Sequence, residues 1–135
     1  MTLLDITIKL PSEKHFDMSC LADCAFLSEI FASEFVELEK HDSCRRRLIN
    51  MRGHQFTEKI LHLCDSKLIY QIEGSGPVKN HRGEINYIQA ANGDYLHYQI
   101  EGQSNTWIPT WLLKLVMYYD FTLAGKRLWR SVNGC

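Results

Sequence analysis

The chain is poor in the features that mark membrane, secreted or modular proteins. No apolar run approaches the roughly 18 residues of a membrane span, and the opening MTLLDITIKLP has no basic stretch followed by a long apolar one. Neither insertion nor a secretion signal is expected, and the sequence predicts a cytoplasmic protein. Charge of one sign is also lacking: 15 Lys plus Arg stand against 16 Asp plus Glu, for a net charge of -1. That balance lacks the basic excess of a nucleic-acid binder. The 3 prolines are scattered, and there is no low-complexity stretch and no repeat. With no linker to divide it, residues 1–135 are expected to form one domain. Cysteines number 5, an odd count without a secretion signal, so reduced thiols are expected in place of a disulfide framework. Cys20 and Cys24 are spaced for one helical face, but C-x3-C is not a usual zinc spacing and His15 is the only histidine near them. No metal site is expected, and no Ser-His-Asp or Cys-His order is readable.

What the chain does have is periodicity. A chain of this length buries roughly two thirds of its unfolded surface, enough for a core that includes a cavity. Leu4, Ile6 and Ile8 alternate with Asp5, Thr7 and Lys9, the period of a half-buried strand, until Pro11 stops it. Ser12 and Glu13 mark a helix start. Phe16, Cys20, Leu21, Cys24, Leu27, Ile30 and Phe31 then recur at three- and four-residue steps, with Asp17 and Asp23 dividing them into two short helices. Over residues 35–103 short alternating segments predict strands at 36–39, 44–51, 55–63, 68–73, 84–89 and 95–101. The turns between them include Arg52-Gly53-His54 and Ala91-Asn92-Gly93-Asp94.

The last quarter is helical again. Ile108, Trp111, Leu112, Leu115, Val116, Tyr118, Tyr119, Leu123 and Leu128 form a broad apolar stripe. It predicts a helix of about 25 residues, capped at Asn105 or Thr106, with Pro109 in its first turn and Asn133-Gly134 at its end. A stripe this wide suits a core helix or one that also walls a cavity. Lys126, Arg127 and Arg130 near its end complement the helix dipole. The element order is strand, two short helices, meander and long helix, which predicts an α+β fold: a curved antiparallel sheet wrapped on the C-terminal helix, with space between them.

Within CRRRLINMRGHQFTEKILHLCDSKLIYQIEGSGPVKNHRGEINYI, Arg46 lies on a strand, Gly53 at a turn, and Glu58-Lys59 ahead of aliphatics. Asp65, a Tyr70-centred strand and Gly83 follow. In these positions and in element order the chain resembles the polyketide cyclase/dehydrase branch of the START-like, helix-grip superfamily, also called SRPBCC. The resemblance implies a sheet of six to seven strands gripping the last helix around a deep, largely apolar tunnel. It also implies a hydrophobic ligand such as a lipid, sterol or polyketide, with only a minority of members acting as catalysts. Two departures stand out. His15-Phe16 occupies the place where Val-Trp is frequent, and FLSEIFASEF replaces a Trp-x-x-Trp-like segment.

In such a tunnel, polar groups on inward strand positions supply the contacts. Tyr70, Tyr87 and Tyr98 are in phase with aliphatic neighbours and are expected inside. There their hydroxyls bond one another, the backbone at the sheet end, or a ligand. Alternation sends Arg45 and Arg47 to one face and Arg46 to the other, and both faces carry aliphatics. The resemblance places Arg46 inward, where a buried charge needs a partner, and Glu58 across the hairpin supplies one. The pair would anchor a ligand's polar end, serve as a structural ion pair, or sit solvated at the surface. His62, in phase with Glu58 and Ile60, is the better inward histidine, while His97 faces solvent. The expected function is soluble binding of a small hydrophobic or amphipathic ligand by a START-like domain. Arg46, Glu58, Tyr70, Tyr87, Tyr98, Trp111 and Tyr118 are the expected contacts. No cofactor, no nucleic-acid partner and no stable membrane insertion are expected, and a homodimer is compatible with this reading. The alternative is an aromatase or cyclase that holds carbonyl oxygens with Arg46 and a tyrosine.

Overall fold

Apolar residues on alternate strand positions give the sheet one buried face, and short turns string most of its strands into a meander. The computed structural model describes residues 1–10, 16–41, 44–74 and 76–131. Strand β1 (Thr2–Lys9) is followed by a 3-10 turn (Met18–Ala22) and helix α1 (Cys24–Phe31). The meander then runs through β2 (Glu34–His41), β3 (Cys44–Met51), β4 (His54–Leu63), β5 (Lys67–Glu73), β6 (Val78–Ala90) and β7 (Gly93–Ser104), and α2 (Thr110–Ser131) ends the described chain. The strands form one antiparallel sheet in the order β1-β7-β6-β5-β4-β3-β2. This is the α+β helix-grip arrangement, with seven strands.

The two aspartates divide the first helical stretch as the sequence predicts. Asp17 accepts from the Ser19 N–H to open the 3-10 turn, and Asp23 accepts from the Phe26 N–H to cap α1. The predicted start at Ser12-Glu13 lies outside the described residues. In β1 a register shift between Thr2 and Leu4 lets both Leu3 and Leu4 point inward. Strand β6 begins at Val78, ahead of the predicted 84, because an irregularity between Lys79 and Arg82 interrupts the alternation there. The reduced-thiol expectation fails at Cys20, which is disulfide-bonded, whereas Cys24 and Cys64 are free. An odd cysteine count does not exclude a single bridge.

Helix α2 starts later than predicted. The Pro109 carbonyl accepts from the Leu112 and Leu113 N–H groups, so Pro109 precedes the helix. Asn105 pins the β5–β6 connection through the Gly76 and Pro77 carbonyls instead of capping α2. The predicted end at Asn133-Gly134 lies outside the described residues. The helix packs on β1, β7 and α1. Gly125 sits on Ile8, where an added Cβ would lie 2.9 Å from Ile8 Cδ1. Phe121 meets Phe31 and Tyr98 edge-on at 5.1 and 5.6 Å, and Arg127 donates to the Ile30 carbonyl. Among the described residues no helix is long and apolar enough to cross a membrane.

Candidate ligand-binding cavity

The β3–β4 turn decides which arginine of Arg45-Arg46-Arg47 meets Glu58. Arg52 and Gly53 both have positive φ, 53° and 79°, as in a two-residue type I′ hairpin turn. Met51 therefore pairs with His54, which sets Arg47 opposite Glu58 and Arg46 opposite Lys59. The inward placement of Arg46 rests on the family resemblance, since alternation leaves both faces open; the two-residue turn instead puts Arg47 opposite Glu58, and a one-residue slip exchanges the two faces. Arg47 is the inward arginine, 5% exposed, against Glu58 at 7%. Its Nε and Nη2 donate to Glu58 Oε1 at 2.9 and 2.8 Å, and Nη1 donates to the Leu21 carbonyl at 3.0 Å. The rings of Phe35 and Tyr70 lie 5.7 and 5.3 Å from its Cζ. Arg45 is half-buried, contrary to expectation, and donates to the Ala22 carbonyl and to Glu37. Arg46 points to the other face and pairs with Glu73.

Above this pair, between sheet, α1 and α2, lies a cavity of about 340 Å³. That volume falls in the lower part of the range of small-molecule sites, about 300–1,000 Å³. Its walls are Leu27 and Phe31 from α1, Ile49, Phe56, Ile72, Ile85 and Ile100 from the sheet, and Leu113, Val116, Met117 and Phe121 from α2. Where the β3–β4 turn meets α2, Arg52 donates to both oxygens of Asp120 at 2.9 and 2.6 Å.

Of the seven residues expected at the site, Glu58, Tyr70 and Tyr98 line this cavity, and Arg46, Tyr87, Trp111 and Tyr118 do not. Tyr87 lies near the far end of the sheet, where its hydroxyl donates to Asp94 at 2.6 Å and accepts from the Phe16 N–H. Trp111 and Tyr118 are 68% and 56% exposed, because α2 turns residues 113, 116, 117, 120 and 121 inward. His62 is exposed too; a register shift between Ile60 and His62 puts it opposite outward-facing Ile69. The inward histidine is His81, absent from the sequence reading. Its signal was present, since His81, Gly83, Ile85 and Tyr87 share one period.

The cavity's polar groups carry no net charge. The Tyr70 ring lies over Gly83, where an added Cβ would come within 2.3 Å of Tyr70 Cζ, so only glycine permits this approach. Burial pushes the Tyr70 hydroxyl well above the usual tyrosine range, and the Glu58 charge adds to the effect. Burial does the same to Tyr98. Burial lowers the His81 pKa, and its Nδ1 accepts from the Ile72 N–H at 3.1 Å, which leaves the ring proton on Nε2.

This architecture is the START-like, helix-grip fold, and solved structures share it over nearly the whole chain. XoxI from Bacillus cereus matches with a TM-score of 0.69 at 11% identity, over 97% of this chain and 95% of that protein. The di-domain ARO/CYC BexL from the BE-7585A biosynthetic pathway matches at 0.72 and 8% identity, over 98% of this chain and 50% of BexL. StfQ, the di-domain ARO/CYC from the steffimycin biosynthetic pathway, matches at 0.69 and 9%, over 96% of this chain and 48% of StfQ. At such identities the likeness is one of fold alone. No protein-family model matches the chain. Among curated proteins, the xylulose kinase of Saccharomyces cerevisiae is 39% identical over 59 residues, covering 41% of this chain. The match spans 10% of that kinase, an overlap too small to define a family.

Proposed function

We propose that this domain binds a small hydrophobic or amphipathic molecule in the cavity between sheet and α2. The observation that carries the reading is a space of about 340 Å³ walled by apolar side chains from α1, sheet and α2, with a buried ion pair below it. A ligand filling it would gain roughly 25 cal/mol per Å² of apolar surface removed from water. The shared fold with polyketide aromatase/cyclase domains supports a hydrophobic occupant. The cyclase alternative relied on Arg46, which bonds Glu73 on the opposite face, so binding is the reading retained.

The test uses 1-aminoanthracene, a neutral hydrophobic fluorophore. Saturable enhancement of its fluorescence is expected with the wild-type chain. Leu113→Trp, which fills the cavity from α2, should abolish that enhancement while leaving the far-ultraviolet circular dichroism intact. Equal enhancement in both proteins would locate binding elsewhere and overturn the reading.

A further inference from the structure

Among the buried side chains that line the cavity, the hydrogen bonds leave four polar atoms over. Glu58 Oε1 takes both Arg47 bonds, and His81 Nδ1 takes the Ile72 N–H. Among the described residues Glu58 Oε2, His81 Nε2 and the Tyr70 and Tyr98 hydroxyls have no partner. All four belong to cavity-lining residues that are almost fully buried. None is sealed off from the space: the one partnerless side-chain N or O atom shut away completely, among the described residues, is Arg45 Nε. Buried polar groups in native proteins are nearly always hydrogen-bonded. Four open ones around a single cavity are therefore groups whose partners enter with its contents, water when it is vacant and a ligand when it is filled.

Their chemistry restricts that ligand. Glu58 Oε2 only accepts and His81 Nε2–H only donates, whereas the two hydroxyls do either. Arg47 already spends Nε and Nη2 on Glu58 and Nη1 on the Leu21 carbonyl, and Glu58 cancels its charge. An anion entering the cavity meets the free carboxylate oxygen, and a cation meets Arg47. Resting on the ligand-binding reading above, we infer that the cavity selects uncharged molecules bearing a hydroxyl donor, directed at Glu58 Oε2, together with an acceptor oxygen for His81 Nε2–H. Alcohols, phenols and enols meet that requirement; carboxylates, and ethers or hydrocarbons of the same shape, do not.

Three fluorescent probes of one skeleton separate these classes: 2-naphthol, 2-methoxynaphthalene and 2-naphthoate, titrated at neutral pH. Naphthol is expected to bind about tenfold more tightly than the other two, the preference that a hydrogen bond to a charged group confers. Glu58→Gln, checked for folding by circular dichroism, should bring the naphthol-to-methoxynaphthalene ratio close to one. Tyr70→Phe, which keeps the ring over Gly83, should lower the ratio in a protein that melts as the wild type does. Comparable affinity for all three probes, or tightest binding of naphthoate, would overturn the inference and leave the binding reading standing. Failure of all three to bind would overturn both.

Discussion

Replacing Arg47 by methionine leaves Glu58 in its buried place without a cation and deprives the Leu21 carbonyl of its donor. Removing one partner of a buried pair costs about 3–5 kcal/mol, and the lost bond to Leu21 adds about 1 kcal/mol. Unfolding entropy near 2.1 cal/mol/K per residue makes each kcal/mol worth roughly 3–4 °C in a chain of this size, so Tm should fall by about 15–20 °C. Glu58→Leu alone, which strands the guanidinium, should cost a similar amount. The double variant should lie within about 1–2 kcal/mol of wild type, because apolar replacement of a buried pair is often near neutral. Urea unfolding of the four proteins closes the cycle. A loss below about 1 kcal/mol for Arg47→Met, the scale of a solvated pair, would refute the buried geometry; so would a double variant as damaged as the sum of the singles.

Gly83→Ala should cost about 1–3 kcal/mol in chemical denaturation, the scale of a core overpacked by one methyl, because its Cβ meets the Tyr70 ring at 2.3 Å. Pairing it with Tyr70→Leu should return part of the loss, and an undamaged Gly83→Ala protein would show that the ring is not seated there. His81 is held neutral by burial, with a pKa below the unfolded value of about 6.5. Its contribution to stability is therefore fully present above about pH 6.5 and is lost as pH falls toward the folded pKa. His81→Asn should flatten the fall in Tm between about pH 7.5 and 5.5, and an unchanged slope would rule this histidine out as its source. Arg52→Ala should change stability by less than about 1 kcal/mol, since the Arg52 side chain is 51% exposed. It should nevertheless speed 1-aminoanthracene release severalfold in stopped-flow displacement, and salt should have the same effect on wild type. Release rates indifferent to both would remove the Arg52–Asp120 pair from the path of exchange.

Strand content was legible because alternation marks a strand at residues 4–9 and six more between 36 and 101, and the inward face of β5 because Leu68, Tyr70 and Ile72 alternate without interruption. Parity was not legible. Whether Arg46 or Arg47 meets Glu58 depends on one residue of turn length, and Arg52 adopting positive φ is weakly signalled by its residue type. The irregularity near Ile60 acts in the same way, turning His62 outward, and the one between Lys79 and Arg82 breaks the alternation ahead of the period that contains His81. On α2 the apolar stripe was too wide to reveal its rotation. The stripe as read took in Trp111 and Tyr118, which are exposed, and passed over Leu113 and Met117, which line the cavity; packing on β1 and α1 sets that rotation.

Arg47 reaches in two directions at once, to the carboxylate below the cavity and to the Leu21 carbonyl of the 3-10 turn, while Arg45 holds the neighbouring Ala22 carbonyl. The guanidinium is thus a rivet joining the sheet interior to a segment 26 residues earlier in the chain. One side chain therefore serves both the carboxylate beside the cavity and the backbone of residues 18–22, and its removal would unfasten the turn before α1 together with Glu58.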